Sequence, residues 1–301
     1  MRKILTVSIG LLLALSSPAH GDDFQSKSLV IIDTGFDTQL PLFQGRVIAE
    51  ACILDWYSCP NKSNFQEGAG SASLPQAISS LNGFYHGTQM ASIALMQSPD
   101  VKVILIRLVA NSSSGYRLPT QDENVARILE WVITNKVKFN IGAVAMAQGR
   151  PGLNNVRDYC PKITSVDKKI IELKRMDIPF VVPAGNEGDK SRINWPACIP
   201  SALAIGASTK EDQIASFSNI DRNLVDFYAP GVADSTMPGG RISSTKGTSV
   251  STIIAAANWV KISNQYPTKS YSDLYQFFRA GPIIFDDKFN YGRKMLFESA
   301  Q

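Results

Sequence analysis

The chain has 301 residues, 44% of them apolar and 19% charged. That composition supports one large core and excludes a disordered chain. A net charge of +4, with no Lys/Arg stripe interleaved with aromatics, excludes a nucleic-acid binder.

The first element is a secretory signal predicted over residues 1–21. Met1-Arg2-Lys3 is basic, Ile4 to Leu15 is apolar, and Ser16 to Gly21 supplies small residues for cleavage after Gly21. The run is short for a bilayer span, and no later stretch is long and apolar enough, so the mature chain is expected to lack a membrane span. Residues 22–301 read as one domain, without internal repeat or linker.

Along that domain, short apolar runs alternate with helical periodicity, the pattern of a parallel α/β sheet. Strands are predicted at Ser28–Asp33 and Val101–Leu108. A helix follows within Thr120–Asn135, where Val125, Ile128, Leu129, Val132 and Ile133 keep one face apolar. Then come a strand at Ile141–Met146, a helix at Ser165–Arg175, and strands at Ile178–Val182 and Ser201–Ala207. Loops are predicted at Asn61–Leu74, Asn111–Gly115 and Met237–Gly240.

Cys52, Cys59, Cys160 and Cys198 form an even set in a chain read as exported, so two disulfides are expected. Three connectivities exist; the short spacing of Cys52 and Cys59 favours Cys52–Cys59 with Cys160–Cys198. Metal-ligand spacing is absent.

Of the two histidines, His20 falls in the predicted signal, so imidazole chemistry rests on His86. His86-Gly87-Thr88 opens an apolar helix. Ser249 lies in Gly247-Thr248-Ser249 at the mouth of a small-residue helix, where backbone N–H groups can stabilise an oxyanion. Asn186, in Ala184-Gly185-Asn186, follows a strand and can present an amide to developing charge. Asp33 ends Ile31-Ile32-Asp33 before Thr34-Gly35. Asp-Thr-Gly also describes half of an aspartic protease, but no second copy occurs for the shared proton. No histidine follows Ser249, which excludes the α/β-hydrolase order.

Taken together, these motifs in the order Asp, His, Asn, Ser resemble the subtilisin-like serine protease family (peptidase family S8). Further likenesses are Arg107 to Tyr116, similar to the family's substrate-pairing edge, and Ala145 to Arg150, similar to a wall of the specificity pocket. Ala229-Pro230-Gly231 matches the turn before the serine, and Phe289 to Arg293 with the residues after it resemble the terminal helix.

The resemblance implies a three-layer α/β fold with a mainly parallel central sheet flanked by helices. It implies a secreted or periplasmic endopeptidase acting on protein or peptide substrate with Asp33, His86 and Ser249. Asn186 would line the oxyanion hole, and Ser114, Gly115, Ala147 and Gly149 would bind substrate. No cofactor is expected for catalysis. Calcium is common in the family, but Asp22-Asp23, Asp37 and Asp286-Asp287 place no site.

Three features depart from the family pattern. Ile253 stands where the family usually has Pro, and Ala147-Gln148-Gly149 replaces a common Ser-x-Gly, with Gln148 expected to alter subsite preference. Only residues 22–28 separate the signal from the first strand, too few for the usual propeptide. Folding is therefore expected to be unaided, helped by disulfides, or helped by a separate chaperone or inhibitor chain. A catalytically weak binding protein on this scaffold, part of an exported complex, is the alternative.

Overall fold

The computed structural model describes residues 26–81, 83–151, 160, 164–286 and 290–297. The predicted signal, His20, Asp22, Asp23, Asp287 and Phe289 lie outside them.

In chain order the elements are β1 (Ser28–Asp33), β2 (Val47–Ile53), β3 (Phe65–Glu67), α1 (Gln76–Ser79), α2 (His86–Gln97), β4 (Val103–Arg107), α3 (Asp122–Asn135), β5 (Ile141–Met146) and α4 (Ser165–Arg175). There follow β6 (Phe180–Pro183), β7 (Leu203–Ser208), β8 (Val225–Pro230), β9 (Val232–Thr236), β10 (Ile242–Lys246), α5 (Thr248–Gln265), α6 (Tyr271–Phe278), β11 (Ile283–Phe285) and β12 (Tyr291–Arg293).

The central sheet runs β3-β2-β4-β1-β5-β6-β7-β8, parallel except for the edge strand β3. Strands covered on both faces are largely apolar, and every residue of β1, β4, β5 and β7 is buried, with Asp33, Arg107 and Ser208 at the carboxyl ends of β1, β4 and β7. Helices α2 and α5 fill one face around Trp259, together with α6. Helices α3 and α4 cover the other through Val125, Ile128, Leu129, Ile170 and Leu173. α2 and α5 lie mostly inside, so they are apolar or small on nearly every side. This is the expected three-layer α/β fold.

β1, β5 and α4 have the bounds predicted from sequence, while β4, α3, β6 and β7 differ by one or two residues at their ends. The Asn61–Leu74 loop contains β3, which pairs with β2.

The terminal helix expected after residue 293 is a correction. Tyr291–Arg293 instead pairs antiparallel with Ile283–Phe285, and residues 294–297 are not helical. The chain is held along β8 by the Tyr228–Lys294 bridge and by Met295 N–H donating to Tyr228 O at 2.9 Å. Covering that open sheet edge gives these residues partners that a helix would forgo.

Candidate active site

β1 is where the strand order switches: β4 lies on one side of it and β5 on the other. Crevices form at the carboxyl ends of parallel strands at such a point. Asp33 ends β1, Ala147 follows β5, and Asn186 lies just beyond β6, so strand order alone brings three predicted residues to one rim.

Asp33 is fully buried. Its Oδ1 accepts from Thr34 N–H at 2.7 Å and from Gln148 Nε2 at 3.0 Å, and His86 Nδ1 lies 2.9 and 3.0 Å from the two carboxylate oxygens. A carboxylate out of water requires such donors. Because it can only accept, it fixes the proton on Nδ1 and leaves Nε2 of the imidazole, 24% exposed, as a base.

Thr34 sets the approach of the two elements. Its hydroxyl donates to Phe84 O at 2.8 Å and accepts Gly87 N–H at 3.0 Å. A Cβ on Gly87 would lie 2.3 Å from Gly35 O, so only glycine lets the first turn of α2 come this close to the end of β1.

Ser249 is the second residue of α5, where N–H groups lack a carbonyl one turn back. Its hydroxyl donates to Ala147 O at 3.0 Å, and among the described residues no hydrogen bond joins it to the imidazole. Asn186 Oδ1 accepts from Thr248 N–H at 2.8 Å and Thr248 Oγ1 at 3.0 Å, which leaves Nδ2 as a donor beside the start of α5. Gly185 makes this rim position accessible at φ +116°; a Cβ there would lie 2.3 Å from Asn219 Nδ2.

The expected substrate edges flank this group. Ser114 is exposed at a turn closed by Gly115 N–H to Ser112 O at 3.0 Å, between the bridged residues Asn111 and Arg117. Ala147 is buried and Gly149 exposed. Arg150 and Trp195 exchange backbone bonds of 3.0 and 3.1 Å and so pin that edge. Between the two edges lies a pocket of about 310 Å³ lined by Leu118, Val125, Met146, Gln148 and Trp195 among others.

Behind the site, Arg107 sits opposite Asp33 in register, 1% exposed. Burial pulls its guanidinium down to about 10. It donates to Val109 O, Ser58 O and Asn111 Oδ1 at 3.1, 3.0 and 2.7 Å. Ser58 belongs to the loop closed by the Cys52–Cys59 disulfide; Cys160–Cys198 is the second bridge, as favoured from spacing.

Among the described residues no group of three or more His, Cys, Asp or Glu could hold a metal ion. Asp37 Oδ2 accepts Gly239 N–H, and the Asp286 carboxylate is taken up by Asn290.

Thr34 and Thr248 stand inside motifs legible in the sequence, though their roles are not. Gln148 is visible there only as a departure from Ser-x-Gly, and nothing in the sequence singles out Arg117, which holds it.

A model of the subtilase family (peptidase S8) matches residues 26–279. Subtilisin amylosacchariticus of Bacillus subtilis subsp. amylosacchariticus is 27% identical over 94% of this chain and 68% of its own length. Subtilisin NAT of Bacillus subtilis subsp. natto is 28% identical over 71% of this chain, which spans only 55% of that relative. Among solved structures, a cold adapted subtilisin-like serine proteinase superposes with a TM-score of 0.66 at 21% identity, covering 91% of this chain and 89% of its own. That likeness is one of fold.

Proposed function

The chain belongs to the subtilase family, and we propose that it is an exported serine endopeptidase using Asp33, His86 and Ser249. The observation that carries this reading is the buried Asp33 carboxylate on His86 Nδ1, which leaves Nε2 as a base. Ser249 Oγ, released from Ala147 O by rotation of its side chain, attacks the scissile carbonyl and passes its proton to Nε2. The new C–O bond leaves negative charge on the former carbonyl oxygen, which Asn186 Nδ2 and the Ser249 N–H stabilise. The imidazolium then gives its proton to the leaving amine as the C–N bond breaks, and water reverses the sequence on the acyl-enzyme. Extended substrate backbone lies between the edges at Ser114-Gly115 and Ala147 to Gly149, which favours peptides. Export rests on the signal expected at residues 1–21 and on two disulfides, bonds that persist in oxidising compartments.

A second reading, a weakly active or silent binding protein, is favoured by one observation: the Ser249 hydroxyl is turned to Ala147 O. Treatment with a fluorophosphonate, with Ser249→Ala as control, separates the two. Labelling confined to the parent supports the peptidase; a folded parent that stays unlabelled favours the binding protein.

A further inference from the structure

Gln148 forms a hydrogen-bonded link that the triad chemistry does not use. Its Oε1 accepts from Arg117 Nη2 at 2.6 Å, while its Nε2 lies 3.0 Å from Asp33 Oδ1 and 3.0 Å from His86 Nδ1. Both ends fix the amide orientation: a guanidinium only donates and a carboxylate only accepts, so oxygen faces Arg117 and nitrogen faces Asp33. The link joins the turn at residues 111–117 to the buried carboxylate through Gln148, which stands 115 residues from Asp33 in sequence.

We propose that Gln148, anchored by Arg117, is a positioning residue that shares the Asp33 carboxylate with the imidazole and thereby tempers the basicity of His86. The role rests on the peptidase reading above. A donor polarised by a cation is a stronger donor, so Arg117 increases the share of Asp33 charge that Gln148 neutralises. Less charge then faces the imidazolium, so the carboxylate favours the charged ring less than it would without the amide. The charged or titratable groups in hydrogen-bond reach of Gln148 are Asp33 on β1, His86 on α2 and Arg117 on the turn, and on β4 the buried Arg107 stands in register beside Asp33. Arg150, on the wall of the adjoining pocket, is paired with Asp122.

The test is the pH profile of kcat/KM for the parent, Gln148→Met, Arg117→Met and the double variant. Gln148→Met, which keeps the length but not the donor, is expected to move the acid limb to higher pH by about half a unit, on the scale of a charge-assisted bond shared among donors. Arg117→Met moves it the same way by less, and the double variant matches Gln148→Met alone. A side chain that only fills the edge would change KM or melting temperature and leave the limb in place. That result, in a parent labelled by fluorophosphonate, overturns the proposal.

His86 is the one histidine among the described residues, so ¹⁵N resonances of its ring give a second readout that needs no activity. Their titration midpoint rises in Gln148→Met if the link acts as proposed, even if Ser249 proves unreactive. An unmoved midpoint in folded protein overturns it. Arg117 is exposed, so its variant preserves the test if Gln148→Met does not fold.

Discussion

The Thr34 hydroxyl accepts the Gly87 N–H at 3.0 Å, tying the residue after Asp33 to the residue after His86. The spacing between the two elements is therefore set beside the reacting groups, by a hydroxyl and a missing Cβ. Gly87→Ala places a methyl group 2.3 Å from Gly35 O, backbone that cannot swing aside. Overpacking of this kind costs about 1–3 kcal/mol of stability. Displacing His86 by about 1 Å is expected to lower kcat about a hundredfold. Thermal unfolding and kcat measured together check both, and an active Gly87→Ala enzyme would contradict the proposed alignment.

Asn186→Ala tests the oxyanion site. Thr248 orients the amide through Oδ1, so truncation removes the Nδ2 donor and leaves Thr248 without that acceptor. The expected loss is about 10²- to 10³-fold in kcat, the size found for one such donor in a subtilisin, with little change in KM. Equal loss in KM would assign Asn186 to substrate binding instead.

The Cys52–Cys59 bridge should reach the substrate edge through Ser58. The Ser58 hydroxyl accepts Asn111 N–H at 3.2 Å, and its carbonyl accepts Arg107 Nη1 at 3.0 Å. Replacing both cysteines by serine opens a small loop, with a stability loss of about 2 kcal/mol. KM is expected to rise while kcat changes little, because Asn111 begins the turn carrying Ser114 and Gly115. Urea titration and steady-state kinetics on the double variant measure the two effects; an unchanged KM would separate the loop from the edge.

Away from the site, Asp226 faces a pocket of about 390 Å³. Burial pushes its carboxyl up to about 6 from 3.8, against bonds from Ala204 N–H and the Tyr275 hydroxyl. The folded state thus holds this proton more tightly than the unfolded chain. The stability it contributes is fully present below about pH 4 and is lost as pH rises through about 6. Relative to Asp226→Asn, the parent is expected to gain about 1–2 kcal/mol between pH 7 and pH 4, the full shift being reduced by solvent at the pocket mouth. Parallel melting curves across that range check the slope, and a constant difference would refute it.

Much of this molecule is legible in the chain. β1 carries the apolar run Leu29 to Ile32, β5 is apolar throughout, and the periodicity of α3 and α4 reports a half-exposed face. Asp33, His86, Asn186 and Ser249 are visible because each stands in a short motif with glycine or small neighbours. Other elements carried no such signal. β2 contains Glu50 amid apolar residues, and β9 and β10 are rich in Ser and Thr, so none of the three is an unbroken apolar run in sequence. Tyr291–Arg293 is a strand only because a hairpin and the edge of β8 are there to pair with it.

The sequence by itself determined the fold class and the chain order of the candidate triad, and it favoured the short-range disulfide among three connectivities. Local composition and periodicity suffice for these, since each depends on near neighbours or on the solvent. Tertiary structure alone decided that Gln148 reaches Asp33, that Arg117 holds Gln148, that Ser249 turns to Ala147, and that Ser58 receives Arg107. Those contacts join residues brought together by strand order and register. A hydrogen bond exists only where both partners meet within about 3 Å, a condition that no local pattern encodes.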